Sequence, residues 1–118
     1  MLSENLKILL ATSYAFVIKA QNFHWNVEGS DFPQYHAFFD AINNEVYENA
    51  IDRTAEYIRT LEAYTPGSIT RYAELSLIPD QLKIPRAELM FQELYRDNEI
   101  IIKHLNECYA ISEAAKQY

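Results

Sequence analysis

The sequence predicts an all-α fold, a bundle of long antiparallel helices. Only 2 Gly and 4 Pro interrupt 118 residues, and 49% of the residues are hydrophobic. Such a composition leaves room for few turns and argues against an all-β protein. Apolar residues recur at helical period through three extended stretches, and the first two are separated by only a few residues. Long helices joined by so short a turn must lie antiparallel. Nine Tyr, six Phe and one Trp argue against a disordered chain. The length suits one domain with a single core.

Ser3 is placed to cap a first helix running to about Val27. Its apolar stripe is Leu6, Leu9, Leu10, Phe16, Val17 and Ala20, and it continues into His24. Glu28-Gly29-Ser30 ends the helix, with Gly29 where a left-handed residue is easiest. Asp31-Phe32-Pro33-Gln34 opens a second helix: the acid caps, proline occupies the first turn, and Gln34 completes the spacing of a capping box.

The second helix is expected from Phe32 to about Ala63, about 45 Å at 1.5 Å per residue. Its stripe breaks. Phe32, Tyr35, Phe39, Ile42 and Val46 share one face, whereas Ile51, Tyr57, Ile58 and Leu61 share another, rotated by about 90° at 100° per residue. One extra residue held in a π-bulge between Asn43 and Ala50 would realign the halves; a broad, drifting stripe is the alternative.

Thr65-Pro66-Gly67-Ser68 stops this helix, and Ile69–Leu75 forms a short one capped by Ser68. Ile78-Pro79 to Ile84-Pro85 is a connector. A third long helix follows from about Arg86 to Ala115, with Leu89, Leu94, Ile101, Leu105 and Cys108 toward the inside. No repeat, low-complexity segment or second domain is evident. Three long helices leave one side of a core open, and a four-helix bundle would want another after Tyr118. Either neighbouring subunits cover the gap or the chain is a C-terminally truncated piece of a longer protein.

A net charge of −7 with no Lys/Arg run at either end disfavours binding to nucleic acid phosphates. An acidic surface instead concentrates cations. The single Cys108 precludes an intrachain disulfide and a thiolate metal site. Ile8–Ile18 superficially resembles a signal-peptide core, but its polar residues keep helical period and Lys19 would sit beside the cleavage site. No apolar run approaches membrane-spanning length, so a soluble, cytoplasmic protein is expected.

The chemistry-bearing residues are His24, His36, Asp52 and Glu56. Each has an ordinary reading: His24 as a satisfied core histidine, and Glu45, Glu48, Asp52 and Glu56 as a solvated acidic ridge. Together, imidazole and carboxylate suit a hard-to-borderline cation such as Fe²⁺ and leave positions open for an oxidant. His36 and Asp52 lie sixteen residues apart on one helix, about 24 Å along its axis, so one ion cannot bind both within a chain. Two such helices packed antiparallel about a two-fold axis would bring His36 of one chain to Asp52 and Glu56 of the other, with His24 joining beside His36. Asp52 and Glu56, four residues apart, share a face. The Glu-x-x-His design of single-chain di-iron bundles is excluded, because no Glu precedes a His by three. His104 reads as surface. Phosphate loops and G-x-S-x-G are absent.

Phe23-His24-Trp25-Asn26-Val27-Glu28-Gly29, then Phe32, His36, Phe39-Asp40 and Asp52-Arg53-Thr54-Ala55-Glu56, resemble the DNA-protection-during-starvation (Dps) family of ferritin-like mini-cages. Pro66-Gly67-Ser68 and Glu74-Leu75-Ser76 are similar to that family's interhelical segment, so the resemblance covers about residues 5 to 110. It implies a ferritin-like bundle, di-iron ferroxidase ligands His24 and His36 from one subunit with Asp52 and Glu56 from its partner, and Trp25 beside the iron as a radical quencher. Packing is the other role open to Trp25. It further implies a homo-oligomer, usually twelve subunits built from two-fold dimers. Such a shell oxidises Fe²⁺ with peroxide or dioxygen and stores ferric mineral inside. The His36–Asp52 interval is one residue longer than the family pattern, which the π-bulge would absorb. The family's fourth long helix and a lysine-rich N-terminal arm have no counterpart here, and DNA binding is not expected. A non-catalytic structural oligomer and a DNA-compacting protein are the rival readings.

Overall fold

The computed structural model describes residues 1–29 and 31–116. Helix α1 spans Leu2–Asn26, α2 spans Phe32–Val46, and a π-helical turn at Tyr47–Ile51 leads without a break into α3, Asp52–Thr60. The short α4 is Ile69–Leu75, and α5 is Ala87–Lys116. The described residues contain no strand. Among them, no helix is long and apolar enough to cross a membrane.

Helix α1 starts two residues earlier than its serine suggested. Met1 is the capping residue without a side-chain bond, its carbonyl accepting from the Asn5 amide, and Ser3 lies inside the helix. Asp31 occupies the cap of α2, but its side chain makes no capping bond; its backbone carbonyl accepts from Gln34 and Tyr35. Gly29 takes φ +117° in the turn between them, as its position predicted. Ser68 caps α4 as expected, its Oγ accepting from the Arg71 amide at 3.2 Å. The second long helix ends at Thr60, earlier than Ala63, because Glu62 adopts φ +61° and turns the chain back.

The packing explains the break in the second helix's stripe. Phe39 lies in one core cluster with Phe16, Ala20, Phe23, Met90 and Leu94, whereas Ile51 and Ile58 join a second with Leu10 and Val17. Val46, just before the π turn, touches both. The wide turn absorbs one residue, so both halves present their apolar side to α1. Tyr57 and Leu61, expected inside, are exposed. We therefore expect deletion of Asn49, exposed within the π turn, to leave an ordinary α-helix and cooperative thermal unfolding by circular dichroism. Deleting Asn49 and Ala50 together would swing α3 by about 100° and bury polar groups, costing more than about 3 kcal/mol.

Two buried polar contacts tie α5 to α1. Lys19 Nζ meets Asp97 Oδ2 at 2.7 Å with both side chains 3% exposed. His104 is buried, not at the surface, with Nε2 2.8 Å from the Asn5 carbonyl and Nδ1 3.3 Å from Glu107. Its charged neighbours Lys103 and Glu107 suggested the surface; the carbonyl that satisfies it comes from ninety-nine residues away. On α5, Leu94 and Cys108 are buried and Ile101 packs against the core, while Leu89 and Leu105 are exposed. The connector is held by Thr12, whose Oγ1 accepts from the Leu77 amide and donates to the Ile8 carbonyl. An apolar groove of about 800 Å³, lined by Phe16, Phe38, Ile42, Val46, Phe91 and Leu94, lies along the open side of the three long helices.

Candidate metal centre

Phe23 and Phe39, both fully buried and 6.0 Å apart, fix how α1 and α2 face each other beside the turn. That packing brings His24, the next residue on α1, against His36, one turn before Phe39 on α2. The two imidazoles stack with centroids 3.7 Å apart and planes 21° apart, and Phe32 stacks on the outer side of His36 at 5.1 Å.

The hydrogen bonding of this pair is reciprocal. His24 Nδ1 lies 2.6 Å from the His36 carbonyl, and His36 Nδ1 lies 2.6 Å from the His24 carbonyl. A carbonyl only accepts, so each Nδ1 must carry a proton and donate it. In the neutral rings each Nε2 is then left with a lone pair, the protonation pattern of a metal-ligating histidine. A core histidine would have both nitrogens engaged inside; here only one is.

Asp40, one turn beyond His36, places Oδ1 3.9 Å from His24 Nε2, on the ligand side of the pair. Asp40 was not among the residues expected in the site. The signal was available, because His36 and Asp40 are four apart and so share a helix face.

Asp52 and Glu56 lie on the first turns of α3, both exposed. Glu56 donates a hydrogen bond to Asp52, and this, followed by the Asp52 charge, holds its carboxyl above the ordinary value of 4.5. A cation bound between the two carboxylates would offset the Asp52 charge that contributes to this rise. Glu45 and Glu48 are exposed on the preceding turns, as the acidic-ridge reading required.

Within one chain the histidines and the acid pair stay apart, sitting on either side of the π turn. Among the described residues no three His, Cys, Asp or Glu converge to hold an ion. Each chain thus carries the two imidazoles with Asp40 in one place and the acid pair in another. The donor set fits iron: neutral imidazole nitrogens and carboxylate oxygens with no thiolate. Trp25, beside His24, is 63% exposed, so it is no core aromatic of the single chain. Cys108 is buried on α5, where desolvation pushes its thiol up and leaves it unreactive.

Comparison with known proteins agrees with this architecture. A model of the ferritin-like domain matches residues 3–118. An uncharacterised low temperature-induced protein of Nostoc sp. is 32% identical over 99 residues, 83% of this chain and 55% of that protein. The chain therefore spans about half the length of that relative. The crystal structure of Dps from Staphylococcus aureus superposes with a TM-score of 0.91 at 30% identity, covering 98% of this chain and 76% of that one. The Dps protein from Vibrio cholerae O1, a member of a broad superfamily of ferritin-like diiron-carboxylate proteins, gives a TM-score of 0.93 at 25% identity, covering 98% and 72%. With its all-helical bundle and a domain match over nearly its whole length, the chain belongs to the ferritin-like domain family, on the Dps branch.

Proposed function

We propose that this chain is a ferroxidase subunit that takes Fe²⁺ as substrate at sites shared between two protomers. In this reading His24, His36 and Asp40 of one protomer face Asp52 and Glu56 of its partner across a two-fold axis. The observation that carries it is the reciprocal His24–His36 lock, which holds both Nδ1 protons on backbone carbonyls and turns two Nε2 lone pairs toward a ligand. The exposed acid pair supports the same reading, since among the described residues neither Asp52 nor Glu56 forms an ion pair.

Iron supplies one-electron chemistry: each Fe²⁺ gives one electron to peroxide or dioxygen. The residues bind and orient. The carbonyl-bound imidazoles cannot flip, the carboxylates neutralise the charge, and ligand negative charge favours Fe³⁺ over Fe²⁺. Trp25, exposed beside His24, is placed to quench a stray oxidising equivalent. Two-fold dimers closing into a hollow shell, a dodecamer on the family pattern, would hold the ferric product, and the net charge of −7 helps draw iron in. The same charge works against DNA compaction. The rival reading, a non-catalytic structural oligomer, relied on the second helix being out of register; the π turn argues against it.

Anaerobic Fe²⁺ titration followed by one addition of peroxide tests the proposal. We expect two Fe²⁺ per site to bind and to be oxidised within the mixing time, monitored by ferric absorbance. Oxidation no faster than in buffer would reject it.

A further inference from the structure

Helix α5 carries two seams of regular spacing, and the three-helix body covers one of them. Met90, Leu94, Asp97, Ile101, His104 and Cys108 recur alternately four and three residues apart and turn inward. Phe91, Tyr95, Asn98, Ile102, Leu105 and Tyr109 repeat that spacing one residue later, so the second seam lies about 100° around the helix. Phe91 packs against the core, but Tyr95, Ile102, Leu105 and Tyr109 are between 48% and 69% exposed. A seven-residue apolar repeat facing water marks a helix that packs against a further helix. Phe91, Tyr95 and Asn98 also line the open groove, together with Phe38, Ile42 and Val46 of α2. Such a groove takes an amphipathic helix whose anchors stand three, four and seven residues apart.

We propose that the occupant is α5 of a second copy of this chain, packed antiparallel about a two-fold axis, so that the C-terminal half of each α5 fills the groove of the other. The inference does not rest on the ferroxidase reading and uses none of His24, His36, Asp40, Asp52 and Glu56. Antiparallel packing of the seven-residue repeat sets Ile102 opposite the partner's Leu105, and Leu105 opposite the partner's Ile102, an aliphatic centre. One layer outward, Asn98 meets the partner's Tyr109. The amide then has a hydroxyl to bond, and a polar pair inside a seam fixes its register. The next layer sets the Tyr95 ring over the partner's Ser112, a large side chain against a small one. Along the edge of the seam, Gln92 comes to the partner's Glu113 and Glu99 to the partner's Asn106. Each of these pairs joins an amide to a carboxylate, and no like charges are opposed. The helix is thus complementary to its own reverse, which is what a contact of one patch with itself requires. A generic apolar helix would fill the groove without matching these polar layers.

Disulfide trapping on the whole chain tests the contact. Ile102→Cys and Leu105→Cys are prepared as separate proteins, mixed in equal amounts under reducing conditions and then oxidised; the wild type, whose Cys108 is buried, is the blank. The mixture is expected to form covalent dimer at least about fivefold faster than either variant alone, because each new thiol faces the other's position across the axis. Tyr64→Cys, an exposed position outside α5, mixed with Leu105→Cys should give no such gain. A second arm places charge at the centre of the seam with Ile102→Asp and Leu105→Asp together. Both residues are half exposed in the single chain, so the fold is kept, as circular dichroism verifies. Sedimentation velocity is expected to show the particle mass fall at least about twofold, and an apolar fluorescent dye excluded by the wild type should bind the variant. Trapping no faster in the mixture than in the separate proteins, a mass unchanged by the paired Asp substitutions, or equal dye binding by wild type and variant overturns the proposal.

Discussion

His36→Ala and Asp52→Ala are each expected to slow peroxide-driven Fe²⁺ oxidation by at least about 100-fold, since both delete ligands rather than their supports. Activity should return when the two variants are dissociated and reassembled together. In a mixed dimer one centre combines the intact imidazoles of the Asp52→Ala chain with the intact acids of the His36→Ala chain, while the other centre is doubly defective. Random mixing therefore restores about a quarter of the centres. A centre built inside one chain cannot be rescued in this way, so two inactive parents giving an inactive mixture would eliminate the shared-site geometry. The separation of the halves within the chain is what makes this outcome sharp.

The second large effect concerns the Lys19–Asp97 pair. Burial pushes the Asp97 carboxyl above its ordinary 3.8, and Lys19, through a hydrogen bond and its charge, pulls it back without cancelling the rise. A pair with so much desolvation contributes little net stability but is costly to break. Asp97→Leu leaves Lys19 charged and alone inside, an expected loss of about 3–5 kcal/mol. Lys19→Met with Asp97→Leu removes both charges and should be near neutral or more stable than the parent.

Lys19→Met alone has a predictable pH dependence. Without Lys19 the folded carboxyl rises further above 3.8, so the native state holds the proton more tightly than the unfolded chain. The variant is therefore close to the parent near pH 4 and loses stability as pH rises through the interval up to the folded value. Urea unfolding at pH 4 and pH 7 measures it. A loss that shrinks toward pH 7 would contradict the assignment.

The sequence carried local facts well. Gly29, Ser68 and the limits of α4 and α5 were legible because capping and turn chemistry act over a few residues. The extra residue in the second helix was legible too, since apolar period is a local count and the structure places the π turn at Tyr47–Ile51, overlapping the stretch between Asn43 and Ala50. Less legible were groups whose surroundings come from far along the chain. His104 and Lys19 look solvent-facing in a helical projection, yet each is buried by a partner seventy-eight or more residues distant. Leu89, Leu105 and Tyr57 fit an apolar stripe but face outward, because a stripe's width does not say which edge a neighbour covers.

What the sequence by itself determined was the set of helices, their antiparallel first turn and the residue types able to hold iron, all consequences of spacing and side-chain chemistry. Only the tertiary structure decided that His24 and His36 bond each other's backbone through Nδ1, that Asp40 comes within 3.9 Å of His24 Nε2, and that three tyrosines share one contact. The reason is physical. Which face a helix shows depends on its own periodicity, whereas which atom a ring nitrogen meets depends on the depth and rotation at which two helices pack, and Phe23 against Phe39 sets both.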